Sequence, residues 1–438
     1  MTNQTKKIAG IVAALFLSSE ATYAASLKEE VEHTLSTSPD IQIDIREKSA
    51  RMEEVKQARA GYLPSVDVTA GFGRETSNNP TTRAAGYNDR SLDRGEAAIE
   101  VRQNLFDGFA TKHETDRQHA RVSSAHYATL GSAENLSLRA IEVYLDVMKR
   151  RELVEQSQSN LAAHKKIHDQ VKALSDSGVG RGSDLDQVSG RLALSRSNVI
   201  ADESNLDDAK TNYLRVVGKL PDNDMSMPVF PEGKFPASLE DAISRAEANH
   251  PVLQSAKSDV DAAVSQYQAS RNTFYPRFDL ELGKSWNNNI DGVEGTNEDT
   301  TAMIRMRYNL LKGGADMARK EQTAQLAEES RAVMDRTRLQ VIESVRLSWN
   351  AYTAISNQIG YLKNHYDAST KTRDAYSKQF GIGKRTLLDL LDTENELFES
   401  RRAYINAKYD RLFAQYRIME GMGMLNETLE VSVTTASR

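Results

Sequence analysis

The chain has 438 residues, of which 39% are hydrophobic and 7% aromatic, and it contains no cysteine, so neither a disulfide framework nor a thiolate metal centre can hold it together. Its formal net charge of −6 argues against nucleic acid as a partner, since that binding needs clustered positive charge. Apolar content this dilute over such a length suits long helices better than thick globular cores.

Residues 1–24 read as a secretory signal peptide. Lys6 and Lys7 form a basic start, Ile8 to Leu17 an apolar stretch, and Thr22-Tyr23-Ala24 a small-x-small cleavage site. Without Lys6, Lys7 and Glu20 the mature chain carries 54 basic and 61 acidic side chains, a net charge of 54 minus 61, or −7. The apolar stretch is about half of the roughly 20 residues that a membrane-spanning helix needs, and no later segment is longer. The signal also lacks the cysteine to which a lipoprotein anchor is attached.

The rest is a tandem duplication. Ser26-Leu27, Pro39, Tyr62-Leu63-Pro64 and Gly71 recur as Ser238-Leu239, Pro251, Phe274-Tyr275-Pro276 and Gly283, all displaced by 212. Asn104-Leu105 with Gly108 answers Asn309-Leu310 with Gly313 at 205, and Gly178-Val179-Gly180 answers Gly381-Ile382-Gly383 at 203. The 203 frame also carries Asp186 to Asp389, Tyr213 to Tyr416 and Gly218 to Gly421. The expected organisation is a first repeat at 25–218, a proline-rich linker at 219–237, a second repeat at 238–424 and a tail at 425–438. Pro221, Pro228, Pro231 and Pro236, four of the nine prolines, mark the linker.

Within each repeat, strand patterning precedes helix patterning. Val66, Val68, Ala70 and Phe72 alternate with Ser65, Asp67, Thr69 and Gly71; Ile99, Val101 and Leu105 alternate with Glu100, Arg102 and Asn104. The second repeat alternates likewise through Phe278, Leu280 and Leu282, then through Ala302, Ile304, Met306, Tyr308 and Leu310. Segments of about 10 residues with one apolar face fit a transmembrane barrel wall, and a half-buried soluble sheet shows the same alternation. The polar connections Thr76 to Arg94 and Asn287 to Thr300 favour the barrel, because they resemble outward loops while the other strand ends run into helices. Four strands cannot close a barrel, and an open edge in lipid leaves backbone groups unpaired, so chains must associate.

Proline is absent between Pro80 and Pro221 and after Pro276, which predicts one continuous helix from Phe109 to about Ser177 and another from Gly314 to about Phe380, each about 100 Å long. Val341, Val345, Ser348, Tyr352, Ile355, Ile359, Leu362 and Tyr366 step by 4 and 3, as do Leu391, Asn395, Phe398, Arg402, Ile405, Tyr409, Leu412, Tyr416 and Met419. These are coiled-coil seams.

The two-repeat layout, Tyr62-Leu63-Pro64, Tyr275-Pro276, Asn309-Leu310 before Gly313-Gly314, and above all Gly381-Ile382-Gly383-Lys384-Arg385-Thr386-Leu387-Leu388-Asp389-Leu390-Leu391-Asp392 resemble the TolC family of outer-membrane channels. The resemblance covers nearly the whole mature chain. It implies an α+β fold: a 12-stranded outer-membrane β-barrel, four strands from each chain of a homotrimer, continued by a periplasmic α-helical coiled-coil tunnel. It implies a periplasmic adaptor (membrane fusion) protein and an inner-membrane ABC or other transporter as partners, besides outer-membrane lipid. By the same resemblance Gly178, Val179, Gly180, Gly381, Ile382 and Gly383 form adaptor-docking tips. Asp389 and Asp392 ring the periplasmic mouth, where close like charges raise some carboxyl pKa values. Arg385 and Asp186 form a closing latch, with Phe380 where the family pattern has tyrosine. Read without the resemblance, these acids fit a solvated helix terminus.

No catalytic constellation stands out, and no cofactor is expected. His164 and His168 have metal spacing on a helix but no third ligand, which favours a solvated face. Gly178 to Gly182 follows a helix rather than a strand, and Gly383-Lys384-Arg385 lacks the earlier glycine and the hydroxyl residue of a phosphate loop. The function classes left are a passive export duct and a structural coiled-coil envelope protein. Within the first, type I protein secretion ranks above multidrug efflux, because the lipoprotein cysteine is missing and the tip segment looks closest to a secretion-type member.

Overall fold

Each repeat opens with two short helices whose starts are written in the sequence. In a computed structural model that describes residues 26–432, Ser26 caps α1 (Leu27–Thr37) in a reciprocal capping box with Glu29, and Pro39 occupies the first turn of α2 (Pro39–Ala60). The expected signal peptide lies outside the described residues. Among those described, no helix is long and apolar enough to cross a membrane.

The chain then turns to sheet. β1 (Ser65–Ser77) and β2 (Arg90–Phe106) form a hairpin whose connection holds a short helix, α3 (Pro80–Ala84). From β2 the chain enters α4 (Ala110–Asp176), 67 residues and about 100 Å without a break, and returns through α5 (Gly182–Val217). The second repeat runs α6 (Leu239–Asn249), α7 (Pro251–Ala269), β3 (Arg277–Asn288), β4 (Thr296–Arg307), α8 (Ala315–Gly381, again 67 residues) and α9 (Leu387–Gly421), followed by α10 (Leu425–Leu429). Near the sheet α4 packs against α2 and α7; farther away it packs against α5 and α9, while α8 lies along α7, α6 and α9.

The four strands make one antiparallel sheet in the order β1-β2-β3-β4, so β2 and β3 join the two repeats and β1 and β4 are free edges. The register sets Val68 opposite Ile99, Ile99 opposite Lys284, Val101 opposite Leu282, and Leu280 opposite Ile304. One face thus gathers Val66, Val68, Phe72, Ile99, Leu282, Ile304 and Met306, all exposed, with Phe72 at 87%. On the other face Arg305 binds Glu281 at 2.7 Å, Arg307 binds Asp279 at 2.6 Å, and Arg102 approaches Glu281 at 3.5 Å. An apolar outer face and an ion-paired inner face are what a lipid-facing wall around a polar lumen requires.

Three details differ from the sequence expectation. The strands run farther outward, leaving only residues 78–89 and 289–295 between them, because the backbone ladder continues where both faces are polar and alternation has ended. β4 stops at Arg307, so Tyr308 and Leu310 lie beyond it, and a bulge between Asn104 and Phe106 takes up Leu105. On α9 the seam passes through Glu394, 5% exposed, rather than through Asn395, which is exposed.

The main core sits where α1, α6, α10 and the proline-rich segment wrap the middle of the long helices. Tyr144, Tyr213, Tyr416, Ile141, Met419 and Met422 are fully enclosed there, and Phe230 packs edge-on against Tyr416 at 5.2 Å. Glu134 on α4 accepts the backbone N–H groups of Leu425 and Asn426 at 2.8 and 3.1 Å, tying down α10; burial, with Glu420 nearby, pushes its carboxyl up to about 7.

The two faces of the sheet predict unequal tolerance. Ile304→Lys and Leu280→Lys should each cost about 2 to 4 kcal/mol in assembly at mid-bilayer, whereas Arg305→Gln and Glu281→Gln should leave assembly near wild type. Yield of folded protein in outer-membrane fractions measures this, and equal losses from both sets would reverse the face assignment.

Candidate functional site

The end of the molecule farthest from the sheet brings together the last turns of α4 and α8 and the first turns of α5 and α9. Ile167, Val171, Val188, Leu387, Leu390 and Leu391 are buried against one another, with Leu185 and Phe380 packed on them. Every one of the four helix ends contributes. Phe380 therefore has a packing role, and its ring faces apolar neighbours where a hydroxyl would need a partner.

Each tip reverses through a left-handed glycine. At the first, Gly178 has φ +78° and both Val179 and Gly180 donate their N–H groups to the Leu174 carbonyl, at 3.1 and 2.9 Å. At the second, Gly383 has φ +72° and Lys384 donates to the Gln379 carbonyl at 2.9 Å. Both are helix-ending turns in which glycine takes the conformation that other residues resist. The two tips are not superimposable in sequence register, since the 203 offset pairs Gly178 with Gly381 and Gly180 with Gly383. Gly180 is required for a different reason: a Cβ there would sit 2.8 Å from the Ser175 backbone nitrogen, whereas one on Gly381 meets nothing within 4 Å. Between the glycines, Val179 and Ile382 project outward, 81% and 67% exposed.

Asp389 caps α9. Its backbone N–H reaches the Thr386 hydroxyl at 3.2 Å, and its carboxylate accepts the Thr386 N–H at 3.3 Å. These bonds to Thr386 hold its carboxyl below the usual aspartate range, so within one protomer the shift is opposite to the upward one expected from neighbouring acids. Asp392, one turn on, keeps a 62% exposed side chain with Arg191 at 3.8 Å. The structure does not bring Arg385 to Asp186. The Arg385 guanidinium donates to Gln379 Oε1 at 3.0 Å, lies 4.0 Å over the Tyr376 ring and stands 3.9 Å from Asp389, while Asp186 is exposed on α5.

Tyr376, Gln379 and Arg191 are thus members of the site that the sequence reading missed. A signal for Tyr376 was present, because it lies one helical turn before Phe380. His164 corrects another expectation: it is 6% exposed, not solvated, and burial with Arg191 nearby lowers its pKa.

A four-stranded sheet with one apolar face, two free edges and helices of about 100 Å on one side defines a subunit of an outer-membrane barrel channel. The chain belongs to the outer membrane efflux protein family, whose sequence profile matches residues 31–219 and 242–424. It is 25% identical over 426 residues to the alkaline protease secretion protein AprF of Pseudomonas aeruginosa, covering 94% of this chain and 87% of that one. It is 24% identical to the outer membrane efflux protein BepC of Brucella suis over 85% of this chain and 80% of BepC. With the outer membrane protein TolC of Escherichia coli it shares 22% identity over 96% of this chain and 87% of TolC. In fold it resembles the CmeC outer membrane channel of Campylobacter jejuni, with a TM-score of 0.80 at 13% identity over 97% and 94% of the two chains. The protein is accordingly an outer-membrane channel with a periplasmic helical extension.

The glycine geometry separates two substitutions that look alike in sequence. Gly180→Ala should loosen the first tip, because backbone must move, and Gly381→Ala should not. Hydrogen exchange of the amides of Val179 and Gly180, which bond to the Leu174 carbonyl, reads the first tip, and that of Gly383 and Lys384 reads the second; equal loss of protection in the two variants would contradict the close approach at Gly180.

Proposed function

We propose that three copies close a barrel and tunnel that serve as the exit duct for type I protein secretion, working with a periplasmic adaptor and an inner-membrane transporter that supply energy and choose the cargo. The observation that carries the trimer is the pair of unpaired sheet edges on a chain that contributes only four strands. Secretion is supported by similarity to the secretion proteins AprF and PrtF, the latter 24% identical over 96% of this chain. Small-molecule efflux is the second reading, and similarity to BepC supports it. In either, the exposed pair Val179 and Ile382 offers two small apolar knobs, one from each repeat, for the adaptor. Their flanking glycines let a partner approach the backbone.

Capture after in-cell crosslinking tests the assignment. The wild-type trimer should bring down an adaptor and a transporter, and Val179→Ser with Ile382→Ser should lose both while the trimer persists. A co-purified ABC transporter of the protein-exporting kind supports secretion, and a proton-driven drug pump overturns it in favour of efflux.

The same reading makes Asp389 and Asp392 a ring of acids around the tunnel mouth, with Arg385 and Asp186 on the closing side. Low-dielectric walls would strengthen the field of such a ring. Asp392 gives the cleaner test, since Asp389 also belongs to the capping box of α9. In planar bilayers Asp392→Asn should shift the reversal potential toward lower cation preference and relieve block by a trivalent cation added from the periplasmic side. Unchanged selectivity and block would remove Asp392 from the mouth.

A further inference from the structure

We propose that the β1 edge pairs antiparallel with the β4 edge of a second copy in the register that sets Ser65 opposite Arg307 and Thr76 opposite Thr296, an inference that rests on the trimeric reading above. All twelve residues of β4 are exposed, and so are Ser65 to Ala70 of β1; both strands have a neighbour on one side only. The bulk of each strand is then waiting for the same partner.

Three constraints select this register. The first is parity. Val66, Val68, Ala70 and Phe72 share the apolar face with Ala302, Ile304 and Met306. Only ladders that oppose even-numbered residues to even-numbered ones keep that face continuous; a slip of one residue would turn the charged set toward lipid. The second is length: in the proposed ladder both strands end together at the helix-proximal side, where β1 begins at Ser65 and β4 stops at Arg307.

Charge is the third. The proposed ladder sets Asp67 opposite Arg305 on the inner face and Arg74 opposite Glu298 near the outer rim, and on the apolar face it sets Val66 against Met306, Val68 against Ile304 and Ala70 against Ala302. These pairs extend ion pairs already present inside the chain, Arg305 with Glu281 at 2.7 Å and Arg74 with Asp93 at 3.8 Å. Shifting β4 two residues one way opposes Asp67 to Met303 and Phe72 to Glu298; shifting it the other way opposes Glu75 to Asp299, two like charges. Opposite charges across strands stabilise and like charges destabilise.

The absence of native cysteine makes the register directly readable by engineered disulfides, which need Cα atoms within about 7 Å. Val68→Cys with Ile304→Cys, and Ala70→Cys with Ala302→Cys, are matched pairs. Val68→Cys with Ala302→Cys, and Ala70→Cys with Ile304→Cys, are offset by two residues in opposite senses. On oxidation in outer-membrane fractions, the two matched pairs should shift the denatured band from monomer to covalent dimer and closed trimer, and the two offset pairs should stay mainly monomeric. Trimer mass of each unoxidised variant in detergent is the control for assembly, and two matched pairs guard against one that disturbs folding. Crosslinking by an offset pair, or by none in an intact trimer, overturns the register while leaving the trimer standing. A wild-type protein that is monomeric in detergent removes the trimeric reading itself.

Discussion

A backbone amide or carbonyl that enters hydrocarbon unpaired costs several kcal/mol, and this chain carries two whole edges of them. Most of the architecture answers that constraint. Duplication gives two hairpins, and the β2–β3 pairing fuses them, so each protomer has a pair of edges where two separate hairpins would have twice as many. All four helix connections leave from one side of the sheet, which keeps long polar helices out of the membrane. Loops 78–89 and 289–295 close the other side and are tied together: Asn79 donates to the Asp291 carbonyl at 2.8 Å, and Arg90, at the start of β2, pairs with Glu294 at 2.8 Å. The outer rim of the two hairpins is thereby one unit.

Below the sheet the constraint is alignment. Helices of 67 residues with repeating apolar seams could slide by one heptad and still bury much of the same area. Buried polar contacts oppose this. Asp202 on α5, 5% exposed at its side chain, accepts from Arg402 on α9 at 2.6 Å and from Ser157 on α4, joining three helices and both repeats. Two turns along α9, Lys408 and Tyr409 both reach Glu152 on α4, at 2.6 and 3.0 Å. Such bonds add little net stability, but a slipped register would strand the buried charge of Asp202 at a cost of about 3 to 5 kcal/mol. The polar interruption of the α9 seam at Arg402 is what fixes its alignment.

What the sequence showed and what it hid divide along the same physical line. Long range order set by local chemistry was readable: the two repeats from their constant offsets, the unbroken spans of α4 and α8 from the missing prolines, and the faces of all four strands from their alternation. Tertiary partners were not. Nothing in the chain order says that Arg385 turns back onto Tyr376 and Gln379 instead of meeting Asp186, that His164 is buried with Arg191 nearby, or that Glu394 displaces Asn395 at the seam. The tips show a subtler limit. Matching glycines at a constant offset are real, yet the left-handed residue is Gly178 in one tip and Gly383 in the other. Helix length decides it, because α8 runs on to Gly381 while α4 stops at Asp176.

The tip also shows why its acids sit where they do. A carboxylate in the first turn of a helix is stabilised by free N–H groups and by the helix dipole, so Asp389 has a local reason to be charged before any neighbour is considered. Asp392, a turn later, has no such bond, and its nearest cation stands at 3.8 Å. Asp389 is thereby held at the helix start, while Asp392 presents the more exposed carboxylate of the two. The apolar cluster of Phe380, Leu387, Leu390 and Leu391 lies directly behind them. It holds the four helix ends together, so the first turn of α9 carries its acids outward and its leucines into the packing of the tip.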